Sequence, residues 1–320
     1  MILRIAAAAV SIFLASHASA QAPAYPTKPV RILVGFGTGG GIDTAARFYG
    51  QKFTESMGQS FIVENRPGAS GNIAAEVVSK AAPDGYTLIM LSTTHAMNPS
   101  LFDKLPFDPV KDFAPISTVV MNVDCIAVHP SMPVNSLREL IALAKSRPGE
   151  LAYAHAGKGT MMHVGMELFL SMAGIRLLQV PYKGAGPSTV AVLGGQVPVL
   201  STSLGPALPH ARAGKLRMLA VTSAQRTPLA PEYPTVAEAA NLPGYEAIVW
   251  IGLLAPAGTP AAVVNKLNAE VERLVQSREV REQLAKRANE PVHHTPAAFA
   301  ELIRSDMVKW GKVVRESNIK

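Results

Sequence analysis

The chain has 320 residues, 48% of them hydrophobic, and a formal net charge of +7 from 30 Lys and Arg against 23 Asp and Glu. The basic residues are scattered and aromatics are only 6%, so the balance excludes a nucleic-acid reading; it points to small anions or to a merely solvated basic surface. The single cysteine, Cys125, excludes an internal disulfide, and a chain this long builds its core without one, as one broad domain or two lobes.

Met1 to Ala20 carries one positive residue, Arg4, then an apolar run from Ile5 to Ala15 and the small-x-small pattern Ala18-Ser19-Ala20. That layout predicts a signal peptide over 1–20, cleaved after Ala20, and a mature chain of charge +6 in the periplasm. The run is shorter than the ~20 apolar residues of a membrane span, and no later segment offers ~18, so the mature chain is expected to be soluble.

The mature chain alternates strand and helix. Val30–Val34 is a β-branched run closed by a Gly-rich turn, and Ile42–Met57 reads as a helix. Ser60–Glu64 is the next strand and Gly71–Ala82 the next helix, stopped by Pro83-Asp84-Gly85; Tyr86–Leu91 is the third strand. The long apolar stretch Ile116–Val128 reads as a crossing segment and contains Cys125. A second alternating set follows, with helices at Ser136–Ala144, Gly159–Ala173 and Pro187–Leu193. Its strands are Leu151–Ala154, Leu177–Val180, Val197–Ser201 and Leu216–Thr222. Ile248–Leu254 crosses back, and amphipathic helices run over Ala261–Ser277, Glu279–Ala288 and Pro296–Val314.

The expected architecture is α/β, with two mainly parallel sheets in two lobes joined by two crossing segments. One lobe comprises 22–122 plus 246–320 and the other 123–245. Ligands of such sheets lie outside the carboxyl ends of the strands, which places the site in the cleft between the lobes, where hinge closure encloses it.

The first turn, Gly35-Phe36-Gly37-Thr38-Gly39-Gly40, fits G-x-G-x-x-G between a strand and a helix, and Glu64 ends the next strand. On local pattern this is a dinucleotide-dependent oxidoreductase. Against that reading stand the export signal, the turn Asn65-Arg66-Pro67-Gly68 straight after Glu64, and the lack of an acid/base pair for hydride transfer. The same glycines let amides at a helix N-terminus approach a carboxylate. There is no G-x-S-x-G elbow; Gly157-Lys158-Gly159-Thr160 is not a P-loop; and His293-His294, read as a solvated turn, has no companion cluster to make a metal site.

Several segments, taken together and in order, resemble a known family. They are Tyr25-Pro26-Thr27-Lys28-Pro29-Val30, Glu64-Asn65-Arg66-Pro67-Gly68-Ala69, Pro83-Asp84-Gly85-Tyr86-Thr87, Val180-Pro181-Tyr182-Lys183-Gly184, Gly194-Gly195-Gln196-Val197, Pro234-Thr235-Val236 and Ala255-Pro256-Ala257-Gly258-Thr259-Pro260. The series is similar to the substrate-binding receptors of tripartite tricarboxylate transporters, the Bug-type receptors. The resemblance implies a type II periplasmic binding fold, and a monomer that holds a small mono- or dicarboxylate, aromatic ones included, largely through backbone amides. It implies membrane subunits as partners and no enzymatic reaction, cofactor or metal. A receptor that signals without transport is the alternative.

The resemblance carries over a first ligand loop, Phe36, Gly37, Thr38, Gly39, Gly40 and Gly41 with Asp43, the last either capping its helix or touching ligand. It also implies Ser70, Gly71 and Asn72; Thr93, Thr94 and His95; and, from the middle lobe, His155, Gly157, Lys158, Gly159 and Thr160, with Lys183 and Gly184 and with Ser201, Thr202 and Ser203. Trp250 either walls the cleft or packs the hinge, and His163 is either structural or functional. Three departures stand out: Thr38 where the family usually has Pro, His155 where a small Ser is common, and Ala191 where an Asp is common. The last two suggest a larger or doubly charged anion.

Overall fold

The computed structural model describes residues 25–317 and 319; the expected signal peptide lies outside the described residues. In chain order the elements are β1 (Val30–Val34), α1 (Gly41–Met57), β2 (Phe61–Asn65), α2 (Asn72–Ser79), β3 (Thr87–Ser92), α3 (Thr94–Leu101), β4 (Phe113–Val128), α4 (Leu137–Ser146), β5 (Ala152–His155), α5 (Met161–Ala173) and β6 (Leu178–Pro181). Then follow α6 (Ala185–Leu193), β7 (Val199–Ser203), α7 (Leu204–Arg212), β8 (Arg217–Val221), α8 (Val236–Ala240), β9 (Ile248–Pro256), α9 (Ala261–Gln276), α10 (Arg278–Ala285), β10 (Glu290–Pro291) and α11 (Pro296–Glu316).

The strands form one continuous curled order, β2-β1-β3-β9-β4-β7-β5-β6, with β8 and β10 also on β4. The pairs β1–β2, β1–β3, β5–β6 and β5–β7 are parallel, whereas β4 and β9 run antiparallel to each other and to their other neighbours. The two crossing segments expected from sequence are therefore adjacent strands. β4 joins the two sets: its residues 113–123 pair with β9, and Asp124–Val128 pair with β7. Register shifts in β4 near Ser117, Thr118 and Ile126 bend it as β-bulges do.

Alternation along the strands builds two cores on each set. In the first, Val30, Ile32 and Val34 meet Tyr49 and Phe53 of α1 and Leu267 and Val271 of α9. Leu33, Ile89 and Trp250 face the opposite way, against Ala74 and Val78 of α2 and Phe299 and Ile303 of α11. In the second set, Ile126, Tyr153 and Val199 pack under Leu140 of α4 and Phe169 of α5, and Cys125, Ala127 and Leu200 under Val192 of α6 and Leu204 of α7. Helix α11 belongs to both sets: its start fills the first core and Trp310, Val313 and Val314 fill the second. Among the described residues no helix is long and apolar enough to cross a membrane.

Candidate functional site

The carboxyl ends of β1, β3, β5, β6 and β7 all turn toward one cavity of about 600 Å3. Its floor is the crossing, with Asn122 and Val123 of β4 and Val249 and Ile251 of β9. Its walls are the starts of five helices: Gly39 to Ile42 and Thr44 at α1, Ser92 to Thr94 and Met97 at α3, Ala156 and Thr160 to Met162 at α5, Gly184 to Gly186 at α6, and Ser203, Gly205 and Pro206 at α7. The residues preceding these helices, Gly40, Thr93, Thr160, Gly184 and Ser203, make no side-chain cap. First-turn amides are left without intrahelical partners and carry the positive end of the helix dipole. Pro187 and Pro206 each remove one such donor, at positions where a helix tolerates proline. Among the described residues no Asp or Glu lines the cavity.

The first loop is held from within. Asp43, buried, accepts from the Gly39 amide at 2.9 Å, from Asn65 Nδ2 at 2.8 Å and from Arg47. Burial works to raise its pKa, but these bonds outweigh burial and hold the carboxyl below its ordinary range. Asp43 thus folds the loop back on itself and stays off the cavity lining, which takes Phe36, Gly39 and Gly40 from this loop. Gly37 and Thr38 form the exposed tip.

The second loop supports the first. Gly35 and Gly71 touch so closely that a Cβ on Gly35 would lie 2.4 Å from the Gly71 Cα. Ala69 and Ser70 take left-handed φ values of 46° and 53°, and Asn98 of α3 donates to the Ser70 carbonyl at 3.1 Å and to Asn72 at 2.6 Å. Ser70, Gly71 and Asn72 stand behind Phe36 and do not reach the cavity. Thr93 and Thr94 line it; His95 turns away, its Nε2 on the Pro109 carbonyl at 2.9 Å and its ring among Phe107 and Phe113. Burial pushes the His95 pKa down to about 4.

In the middle segment, Thr160 lines the cavity and Gly157 and Gly159 shape its loop, with φ of 127° and 73°. Beneath lies a buried stack, His155 on His163, with centroids 4.6 Å apart. The Gly159 amide donates to His163 Nδ1 at 3.2 Å, which places the proton of the neutral ring on Nε2, 4.0 Å from Glu167. Glu167 in turn accepts from Tyr153 at 2.6 Å. Burial, aided by His155 and Lys158, pushes His163 down to about 4; burial likewise lowers His155 and raises Glu167. Lys158 and Lys183 project into solvent, while Gly184, next to Lys183, lines the cavity. Ser201 donates to the Met162 carbonyl at 2.7 Å and Thr202 lies 3.4 Å from Thr189, so both brace the walls while Ser203 lines the cavity. Ala191 is buried on α6, away from the lining.

Three further sequence features find structural roles. Trp250 points from β9 into the core, its Nε1 on Asp306 at 2.8 Å and its ring edge-on to Phe299, so its neighbours Val249 and Ile251 face the cavity instead. Glu64 is gripped twice by Arg31, at 2.7 and 2.9 Å, and does not line the cavity, so it is not placed as a ribose ligand. The His293-His294 pair, expected to be solvated, is half-buried: His294 Nδ1 meets Thr118 at 2.6 Å and His293 meets Asn268 at 3.1 Å, which pins the segment onto β4.

The site also contains residues that local patterns did not signal: Asn122, Val249 and Ile251 on the crossing strands, and Arg287, Ala288 and Asn289 after α10. Beside the start of α7, Asp124 is fully buried; neither oxygen makes a regular hydrogen bond, and burial pushes its pKa up to about 7, against only a partial offset from the Ser203 hydroxyl.

The model of the family described as "Tripartite tricarboxylate transporter family receptor" matches residues 45–319. The chain is 35% identical to Protein BugT of Bordetella pertussis, over 98% of this chain and 97% of BugT. Among solved structures it is similar to the R. palustris protein Rpa4515 with adipate (TM-score 0.81, 36% identity, 92% of this chain and 98% of that one). It is similar also to MatC from Rhodopseudomonas palustris with bound malate (TM-score 0.76, 32% identity, 91% of this chain and 100% of that one). The chain therefore belongs to the tripartite tricarboxylate transporter receptor family, with the two-lobed α/β fold of its periplasmic solute-binding proteins.

Proposed function

We propose that this protein is an exported receptor that captures a small organic carboxylate in its cleft and delivers it to the membrane subunits of a tripartite transporter. The observation that carries this reading is the convergence of five uncapped helix starts on one cavity whose lining, among the described residues, holds no acid. Such a cavity is favourable for a carboxylate: amide donors and helix dipoles supply the attraction without a dedicated side chain. Relatives of the same fold were solved with adipate and with malate, which supports a carboxylate as the ligand class. The backbone donors do not depend on side-chain identity, so several mono- and dicarboxylates are within the reach of this reading.

Closure would bring segment 123–245 toward 22–122 and 246–320, hinged on the crossing strands, and would remove the ligand from water. Export would follow cleavage after Ala20. The protein would bind and release its ligand unchanged, with no cofactor or metal.

The test is a thermal-shift screen of the mature chain against mono- and dicarboxylates, with NAD and NADP in the same plate. A ligand at a hundred times its Kd stabilises the folded state by about 2.7 kcal/mol. A shift with a group of carboxylates and none with the nucleotides is expected; a shift with NAD or NADP alone would overturn the reading.

A further inference from the structure

Among the described residues lining the cavity, Arg287 is the one that carries a formal charge. It stands in the turn after α10, where Ala288 adopts a left-handed φ of 52°. That turn is pressed against the start of α7: a Cβ on Gly205 would lie 3.2 Å from the Arg287 carbonyl oxygen and 3.4 Å from the Ala288 Cβ. The side chain then runs toward α1. Its guanidinium carbon is 5.5 Å from the centre of the Phe48 ring, and Phe48 is one helical turn beyond Thr44, a residue of the cavity wall. Nη1 donates to the Gln283 carbonyl at 2.9 Å.

Several other arginines of the protein, among them Arg31, Arg47, Arg212, Arg273 and Arg278, are paired with carboxylates, whereas Arg217 and Arg281, which do not line the cavity, bond to backbone carbonyls. Arg287 makes no such pair among the described residues. The aromatic face and the backbone bond engage one side of the guanidinium, and among the described residues Nε and Nη2 have no hydrogen-bond partner. The Nε–Nη2 edge is the one that meets a carboxylate in a two-point fork. The five helix starts, by contrast, offer partial charges and amides, which suffice for one carboxylate but supply no full countercharge for a second.

We infer that Arg287 receives the second carboxylate of a dianionic ligand whose first carboxylate sits at the helix starts, and that this residue makes the receptor prefer dicarboxylates; this rests on the carboxylate reading proposed above. Charge selection is thereby assigned to the α10–β10 turn, away from His155 and Ala191, where the sequence departures had suggested it.

Titration calorimetry with a matched pair, adipate and hexanoate, on the wild-type protein and on Arg287→Gln and Arg287→Lys tests the assignment. The two acids share a chain length and differ in the second charge. The wild-type protein is expected to bind adipate at least tenfold more tightly than hexanoate. Arg287→Gln is expected to weaken adipate about tenfold, or 1.4 kcal/mol, while hexanoate stays within twofold; retained hexanoate binding also reports an intact fold. Arg287→Lys, which keeps charge but not the fork, is expected to fall between. Equal loss of both acids, or adipate binding unchanged in Arg287→Gln, overturns the inference. So does a wild-type protein that binds neither acid or prefers hexanoate, whereas the carboxylate reading itself stands or falls on the wider screen.

Discussion

At α4, α8 and α11 the first-turn amides are taken up by the chain's own side chains: Ser136 accepts from Glu139, Thr295 from Ala298, and Thr235 and Glu238 close a reciprocal capping box. At α1, α3, α5, α6 and α7, the helices that open onto the cavity, no cap side chain does so, although three of the five cap positions hold Thr or Ser. The hydroxyls are turned to other partners: Thr93 accepts from the Trp250 amide and Thr160 donates to the Gly157 carbonyl. A cap is worth about 1 kcal/mol to a helix, so the cleft forgoes stabilisation that α4, α8 and α11 collect; α2, α9 and α10, which start away from the cavity, are uncapped as well, and what sets the five apart is that they converge on one cavity. The donors left over are the binding surface of the proposed receptor, a division between stability and function seen at sites in many proteins.

The largest expected effect comes from forcing the inner loops apart. Gly35→Ala places a methyl 2.4 Å from the Gly71 backbone, where no side chain can swing away. Overpacking of this kind costs about 3 kcal/mol, read as a drop in the denaturant midpoint, with Phe36 displaced from the cavity wall. Gly37→Ala, two residues on and with nothing within 4 Å of the new Cβ, is expected to change stability by less than about 0.5 kcal/mol. Similar losses for both would mean that the loop is not seated on Gly71 as described.

Acid should act on the walls next. His163 is pushed down to about 4 from its ordinary 6.5, so between those values the unfolded chain binds a proton that the folded chain refuses. Stability is therefore full above about pH 6.5 and falls as pH drops toward 4, by up to about 3 kcal/mol. His163→Asn, which cannot titrate, is expected to lose less stability over that window in parallel pH–melting curves; His95, with the same shift, remains in both proteins. Asp124 has the opposite sign: its raised pKa gives stability that is full below about pH 4 and lost as pH rises through 7. Asp124→Asn is expected to gain relative to the wild type across that range. Identical curves would refute the burial account of either group.

Much of this organisation is legible in the sequence, for reasons visible in particular elements. The β-branched run Val30–Val34 marks a strand by local chemistry alone, and the structure follows it, whereas the second helix stops at Ser79, before the Pro83-Asp84-Gly85 turn expected to end it. Helices α3 and α7 escape such reading because Pro99 and Pro209 interrupt their patterns, yet both open onto the cavity. The strand expected at Val197–Ser201 runs from Val199 to Ser203. That shift of two keeps its faces but moves the strand end, so Ser203 lines the cavity and Ser201 braces it. Arg287 and Asn122 lie about 165 residues apart and are brought to one cavity by the crossing of β4 and β9 and the turn after α10; spacing along the chain holds no trace of that.

Capping an inner helix should exchange one property for the other. Thr160 precedes α5 in the extended conformation that a capping residue adopts, φ −76° and ψ 160°. Thr160→Asp is expected to raise stability by about 0.5–1 kcal/mol by accepting first-turn amides and opposing the dipole. The same carboxylate stands in the cavity wall, where it should weaken carboxylate binding at least tenfold in calorimetry. A stabilised variant with unchanged affinity would show that the α5 amides take no part in binding.

The outer caps give the smallest and cleanest contrast. In the box at α8, Thr235 Oγ1 accepts from the Glu238 amide at 3.1 Å and Glu238 accepts from the Thr235 amide at 3.0 Å. Thr235→Ala removes the first of these bonds and leaves Glu238 in place, held also by Arg226 at 2.9 Å. The expected cost is about 1 kcal/mol, with carboxylate affinity within twofold of the wild type, since Thr235 does not line the cavity. Thr235→Ala and Thr160→Asp thus move stability in opposite directions, and only the change at the cavity wall should move affinity. If Thr235→Ala weakened binding as strongly as Thr160→Asp does, helix caps would be acting through global stability, and the contrast between the starts that face the cavity and the capped starts of α4, α8 and α11 would lose its meaning.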